Sequence, residues 1–326
     1  MILFAVILSL LIVSMAFLAH IVRNIAMISL GFTTVSSFAS SQSLDNYIPL
    51  YSMLPPTPHL PDPAFFGKTR INNIDLWYAL FGPSLDCGRT PIVFQHGGKI
   101  NSNWWGLQIG HVAGKGHPVI TIDTRAHGRS NDDPEAPLSY DLFANDTVAL
   151  LEHLKVPRAS IVGWSDGANT ALSLAMHHGE KVDRAFIFGA NYQPDQANVT
   201  GIMGLPFLDD LQNRMKSEYE ALSPNPEKFD EFMSKMATMQ STFPDWNDKS
   251  FAQIKTRFQD PSHAPIIWIG DGDSEEVVQR RVAGDMGDMI WGSSLVVLPG
   301  VGHFGPLQDP DTFNAILDRW LADPRH

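Results

Sequence analysis

The chain has 326 residues, enough to bury a substantial core in one large domain or two. Hydrophobic residues make up 44% and charged residues 18%, which excludes a disordered or low-complexity protein. A formal charge of −12 repels phosphate backbones and argues against a nucleic-acid partner, and a lone Cys87 excludes an intrachain disulfide or a CxxC metal or redox site.

Residues 1–39 stand apart. Met1 to Val22 is an apolar run broken only by His20 and two serines, and a second apolar stretch follows Arg23 and Asn24. At ~1.5 Å per residue the first run alone reaches across a ~30 Å hydrocarbon layer. Two readings stay open: a signal peptide ending near Ser37-Phe38-Ala39, or an N-terminal membrane anchor. The length favours the anchor, because a secretory leader places Lys or Arg ahead of a shorter apolar run. Either reading predicts the secretory pathway, with a secreted or membrane-anchored product and membrane association through residues 1–39. Residues 40–64 are polar and carry Pro55-Pro56, Pro58, Pro61 and Pro63, the composition of a linker or an extended strap.

The pattern then changes to short apolar runs alternating with helical stretches. Lys68–Ile71 and Ile74–Leu80 flank Asn72-Asn73, a hairpin signal. Further strands are predicted at Pro91–Gln95, Pro118–Ile122, Ser160–Gly163, Arg184–Phe188, Pro265–Ile269 and Ser294–Leu298. Most are continuous rather than alternating, as expected for parallel strands covered on both faces. Helices are expected at Tyr140–Leu154 (with Ser139 as its cap), Ala168–His178, Glu275–Met286 and Pro310–Leu321. The expectation is an α/β domain with a mostly parallel central sheet and helices on both faces, its core formed by residues 65–190 and 261–326. The interval 191–260 breaks the rhythm. It reads as short helices rich in Met and Phe, a candidate helical lid.

Chemistry concentrates at three points. Gly163-Trp164-Ser165-Asp166-Gly167 lies between a strand and a helix, the setting in which G-x-S-x-G lifts a serine hydroxyl clear of the sheet. A serine needs a base to take its proton, and His303 follows the last strand in Leu298-Pro299-Gly300-Val301-Gly302-His303-Phe304. An acid to orient that imidazole is expected in Gly270-Asp271-Gly272-Asp273-Ser274-Glu275-Glu276, after the preceding strand. Four carboxylates crowd this loop. Asp273 is the expected acid, because the turn at Gly270–Gly272 would carry the chain over the sheet edge first; Asp271 is the runner-up. His96-Gly97-Gly98 could supply one oxyanion donor through the Gly98 N–H, with the Asp166 N–H as the other. Trp104, Trp105, Phe207, Met233, Met236 and Phe304 are candidate pocket residues, although core packing is the commoner fate of paired tryptophans.

With these motifs assembled, the chain resembles the α/β-hydrolase superfamily from about Phe66 to the C-terminus. The resemblance rests on His96-Gly97-Gly98, Asp123-Thr124-Arg125-Ala126-His127-Gly128-Arg129-Ser130, the Ser165 elbow, Gly270-Asp271-Gly272-Asp273 and Gly302-His303-Phe304. The family order of nucleophile, acid and histidine implies Ser165, Asp273 and His303 as a catalytic triad. The Asp123–Ser130 stretch departs from the family pattern at Ala126, where glycine is usual.

Competing motifs fail on context. Gly300-Val301-Gly302-His303-Phe304-Gly305 matches a dinucleotide fingerprint, but only 21 residues follow it, too few for the rest of that fold. Asp271 and Asp273 lack the ligand series of a calcium loop, and no H-E-x-x-H is present, so neither a metal nor a cofactor is expected. The expected function is a serine hydrolase cleaving a small to medium apolar ester or lactone through an acyl-enzyme. Carbon–carbon bond hydrolysis, cofactor-free perhydrolysis and non-catalytic ligand binding are the alternatives.

Overall fold

The computed structural model describes residues 48–261 and 264–324. The leader expectation for residues 1–39 lies outside them. Among the described residues no helix is long and apolar enough to cross a membrane.

Eight strands, β1 (Phe65–Ile71), β2 (Ile74–Phe81), β3 (Ile92–Gln95), β4 (Val119–Ile122), β5 (Ala159–Trp164), β6 (Val182–Phe188), β7 (Ile266–Gly272) and β8 (Ser294–Leu298), form one sheet in the order β1-β2-β4-β3-β5-β6-β7-β8. The β1–β2 and β2–β4 pairs are antiparallel, and every other pair is parallel. The hairpin turns at Asn72 and Asn73, at φ 43° and 66°, left-handed conformations that asparagine tolerates better than most residues.

Helices cover both faces, which is why the central strands need no polar side. Val93, Ile120 and Ile161 point towards α2 (Tyr140–His153), α3 (Asp166–His177) and α8 (Val282–Met289). Their neighbours Phe94, Val162 and Phe186 point the other way, towards α1 (Gly106–Gly114) and α10 (Pro310–Leu321), with Trp105, Phe313 and Trp320 filling the layer. Ser139 caps α2 by accepting the Leu142 N–H at 3.1 Å. Helix α1 was not among the expected elements, and the helix expected at Glu275–Met286 starts only at Val282. The first residues of that stretch are held in a loop, because Glu275 accepts the Val277 and Val278 N–H groups at 2.7 and 2.9 Å. Ala126 adopts φ 68°, a left-handed conformation that explains the family's preference for glycine there.

Among the described residues between β6 and β7 lie four α-helices and no strand: α4 (Val199–Met203), α5 (Leu208–Leu222), α6 (Phe229–Thr242) and α7 (Asp248–Phe251). Residues 48–64 are an ordered strap. Leu50, Leu54 and Leu60 pack on the tryptophan-rich core, and Arg214 of α5 donates to the Leu54 and Pro55 carbonyls. Glu218 of α5 is half-buried. It accepts hydrogen bonds from Thr57 of the strap and, at 2.7 Å each, from Asn101 Nδ2 and Trp104 Nε1, tying helix, strap and core together.

Candidate active site

Ser165 is the single residue between the end of β5 and the start of α3, at φ 56° and ψ −121°. A non-glycine residue is seldom found there, and the strain is held by surrounding contacts. The flanking glycines allow the sharp turn: a Cβ on Gly163 would sit 2.4 Å from the Gly167 oxygen, and one on Gly167 2.2 Å from the Gln95 oxygen. Strand and helix therefore approach more closely than any side chain permits, and the serine is left half-buried at the crest.

After β3, the chain crosses in front of this turn as His96-Gly97-Gly98. His96 Nε2 accepts the Thr124 N–H at 3.0 Å, so Nδ1 carries the proton and donates to the Gly97 oxygen at 2.7 Å. Neither the Gly98 N–H nor the Asp166 N–H donates to a protein acceptor among the described residues. Two backbone donors beside the serine are the requirement for holding a developing oxyanion. The Asp166 side chain is not available to a cationic substrate group. It is 7% exposed and accepts from Tyr140 Oη and Gln240 Nε2, both at 2.8 Å.

The structure corrects the expected acid. His303 Nδ1 lies 3.0 Å from both carboxylate oxygens of Glu275, not from Asp273 or Asp271. Asp273 Oδ1 accepts the Gly300 N–H at 2.8 Å and the Ser274 hydroxyl at 3.0 Å, and so joins the β7 and β8 loops. The chain turns once at Asp273-Ser274 before Glu275, and the longer glutamate side chain then reaches the imidazole. Asp271 is buried at the end of β7 and accepts the Gly272 N–H at 2.9 Å. Burial, followed by the Glu275 charge, pushes Asp271 up to about 9. Burial also pushes Glu275 up, to about 7. Glu275 is the ionised member of this pair, because three N–H donors converge on it (Val277, Val278 and His303) against one on Asp271.

His303 is itself buried, and burial lowers its pKa below the usual imidazole value. Its backbone is fixed from both sides: the N–H donates to Glu276 Oε2 at 2.9 Å and the carbonyl accepts from Trp164 Nε1 at 2.8 Å. With Nδ1–H given to Glu275, Nε2 is left as the basic nitrogen. No hydrogen bond joins Ser165 Oγ to His303 Nε2, a contact that in such sites often tightens only with substrate. Both residues line the same cavity of about 180 Å³.

Comparison with known proteins now bears on the site. The α/β-hydrolase-fold family profile matches residues 90–227, which span β3 to α5 and contain the serine elbow. A 3-oxoadipate enol-lactonase of Acinetobacter baylyi is 33% identical over 127 residues, covering 38% of this chain and 46% of the relative. A putative non-heme chloroperoxidase of Synechocystis is 26% identical over 280 residues, 78% of this chain and 98% of the relative. Among solved structures, an N-acyl homoserine lactone degrading enzyme superposes with a TM-score of 0.54 at 25% identity, over 78% of this chain and 99% of its own. The chain has the α/β-hydrolase fold.

The pocket of this α/β-hydrolase differs from the one expected. Of the candidate pocket residues only Phe304 lines the cavity. Trp104 and Trp105 are fully buried around Trp164, and Phe207 packs edge-on behind Phe304 with ring centroids 5.4 Å apart. Met236 is fully buried and Met233 packs on the same core. The insertion between β6 and β7 contributes Ile202, Leu205, Leu211, Met215 and Gln240 instead. Hydrophobicity along the chain could not separate these two sets, because Met236 in the core and Met215 on the cavity are the same residue type and only the packing of the insertion distinguishes them.

Proposed function

We propose that this α/β-hydrolase is a serine hydrolase that cleaves a small ester or lactone through an acyl-enzyme, with Ser165 as nucleophile, His303 as base and Glu275 as the orienting acid. The supporting observation is the Glu275–His303 contact, which leaves His303 Nε2 basic in the cavity that Ser165 shares. Ser165 Oγ attacks the carbonyl carbon while its proton passes to His303 Nε2. The oxygen gains negative charge against the Gly98 and Asp166 N–H groups. The imidazolium, stabilised by Glu275, then protonates the leaving alkoxide as the C–O bond breaks. Water follows the same route: His303 takes its proton, its oxygen attacks the acyl carbon, and Ser165 leaves with the proton returned.

A cavity of about 180 Å³ with a largely aliphatic lining suits a short substrate better than a long-chain lipid. The lactone-acting enzymes among the similar proteins support the inclusion of lactones. A panel of p-nitrophenyl esters and simple lactones tests this reading. Short chains should be turned over, with Ser165→Ala losing both turnover and fluorophosphonate labelling. Undiminished activity in that variant, or an inert wild-type protein, would overturn it.

A further inference from the structure

The cavity contains one permanent charge, and its sign opposes that of the chain. Lys99 follows Gly98, adopts φ 66° and lines the cavity with Ser165 and His303. No carboxylate shares that lining, although acidic side chains outnumber basic ones by 35 to 23 in the whole chain. Lys99 makes no hydrogen bond or ion pair with any described residue. Asp166 is the carboxylate that acts on it electrostatically, and both Asp166 oxygens are already occupied, by Tyr140 and Gln240. Burial lowers the Lys99 pKa, as it does when an ammonium loses water without gaining a partner. Lys99 is half-buried, and a cation that has lost part of its water without gaining a partner is unfavourable unless something that enters the site completes it.

Resting on the serine-hydrolase reading, we infer that Lys99 recognises a carboxylate on the substrate, so the preferred ester or lactone carries an acid group as well as the scissile bond. Lys99 directly follows Gly98 and lines the same cavity, so an anion held by its ammonium shares the pocket with the oxyanion site while the apolar residues Ile202, Leu205 and Leu211 cover the connecting carbons. Because the anion and the scissile carbonyl are held by adjacent residues, the two groups belong to one short molecule.

Two substrate pairs test the inference, each comparing a carboxylate with its near-isosteric neutral amide. Ethyl hydrogen glutarate against ethyl 4-carbamoylbutanoate places the acid on the acyl arm. Butyryl glycolate against butyryl glycolamide places it on the alcohol arm. The wild-type protein should prefer the acid member of at least one pair by about tenfold or more in kcat/KM, as for a charge-assisted contact. Lys99→Met keeps the side-chain length and the backbone preference, and should bring that ratio close to one, mainly through KM. A merely structural lysine would depress both members equally and leave the ratio intact, which would overturn the inference. So would the absence of preference in both pairs while Ser165-dependent turnover persists, a result that leaves the hydrolase reading standing. If neither pair, no p-nitrophenyl ester and no simple lactone is turned over, the hydrolase reading falls. Calorimetric titration of glutarate into the wild-type and Lys99→Met proteins then decides Lys99 alone: binding lost with the ammonium supports it, and equal or absent binding refutes it.

Discussion

Glu275→Gln is the most informative single perturbation of this site. In the wild-type protein Glu275 Oε1 accepts the Val277 and Val278 N–H groups, and both carboxylate oxygens lie 3.0 Å from His303 Nδ1. The amide of glutamine must give its oxygen to the two backbone donors, which leaves its NH2 facing Nδ1. Nδ1 then becomes an acceptor, the proton moves to Nε2, and the imidazole can no longer deprotonate Ser165. The imidazolium also loses its counter-charge. By analogy with Asp→Asn at the orienting acid of other serine enzymes, kcat should fall by about 10³ to 10⁴, or about 4 to 5.5 kcal/mol of transition-state stabilisation, with little change in KM. Asp273→Asn preserves the acceptor for Gly300 and Ser274, and should change kcat by less than about threefold. Steady-state hydrolysis of p-nitrophenyl acetate measures both, and the rate of fluorophosphonate labelling checks that the loss lies in activation of the serine. If Asp273→Asn loses three orders of magnitude while Glu275→Gln loses less than tenfold, the assignment of the acid is wrong.

Asp271, held protonated to about 9, gives a signed pH effect. The unfolded state releases this proton above the ordinary carboxylate range, whereas the folded state keeps it, so this residue's contribution to stability declines as pH rises from about 4 to about 9, by up to about 1.4 kcal/mol per pH unit. Asp271→Asn lacks that dependence, so its Tm should gain on the wild type between pH 5 and 9 and the gap should level off above; a constant gap would refute a protonated Asp271. In Gly98→Ala the new Cβ would meet Asp166 Oδ2 at 2.0 Å, so both oxyanion donors should shift and kcat should fall by about 10² to 10³, measured on the same ester. Leu211→Ala enlarges the cavity and should move the chain-length optimum of an ester panel upward, whereas Met236→Ala, in the core, should cost about 2 to 5 kcal/mol in denaturant unfolding without moving that optimum.

Much of the architecture was legible in the linear pattern, for identifiable reasons. Short, mostly apolar runs such as Ile92–Gln95 and Val119–Ile122 between turn signals read as strands covered on both faces, and the paired asparagines at 72 and 73 accept the left-handed turn between β1 and β2. Glycine at 163 and 167 around Ser165 is a local demand of the elbow, so the proposed nucleophile could be singled out before any coordinates. His303, the proposed base, stood out by its place after the last strand.

What the linear pattern could not decide were contacts that depend on loop path and side-chain reach. Asp271, Asp273, Glu275 and Glu276 are chemically similar and lie within six residues, and only the course of the loop over the β7 end brings Glu275 to the imidazole and sends Asp273 to Gly300. The lid posed the same difficulty: Met236 and Met215 look equivalent in a string, yet one packs into the core and the other lines the cavity. Lys99, a lysine after two glycines, reads as a surface loop residue, and its place in a cavity depends on Ile202, Leu205, Leu211, Met215 and Gln240 packing around it. Backbone demands such as turns, strand coverage and the elbow are local and are written in residue type. Which carboxylate meets the histidine, and which apolar groups meet the substrate, depend on elements far apart in the chain, and only tertiary packing brings those together.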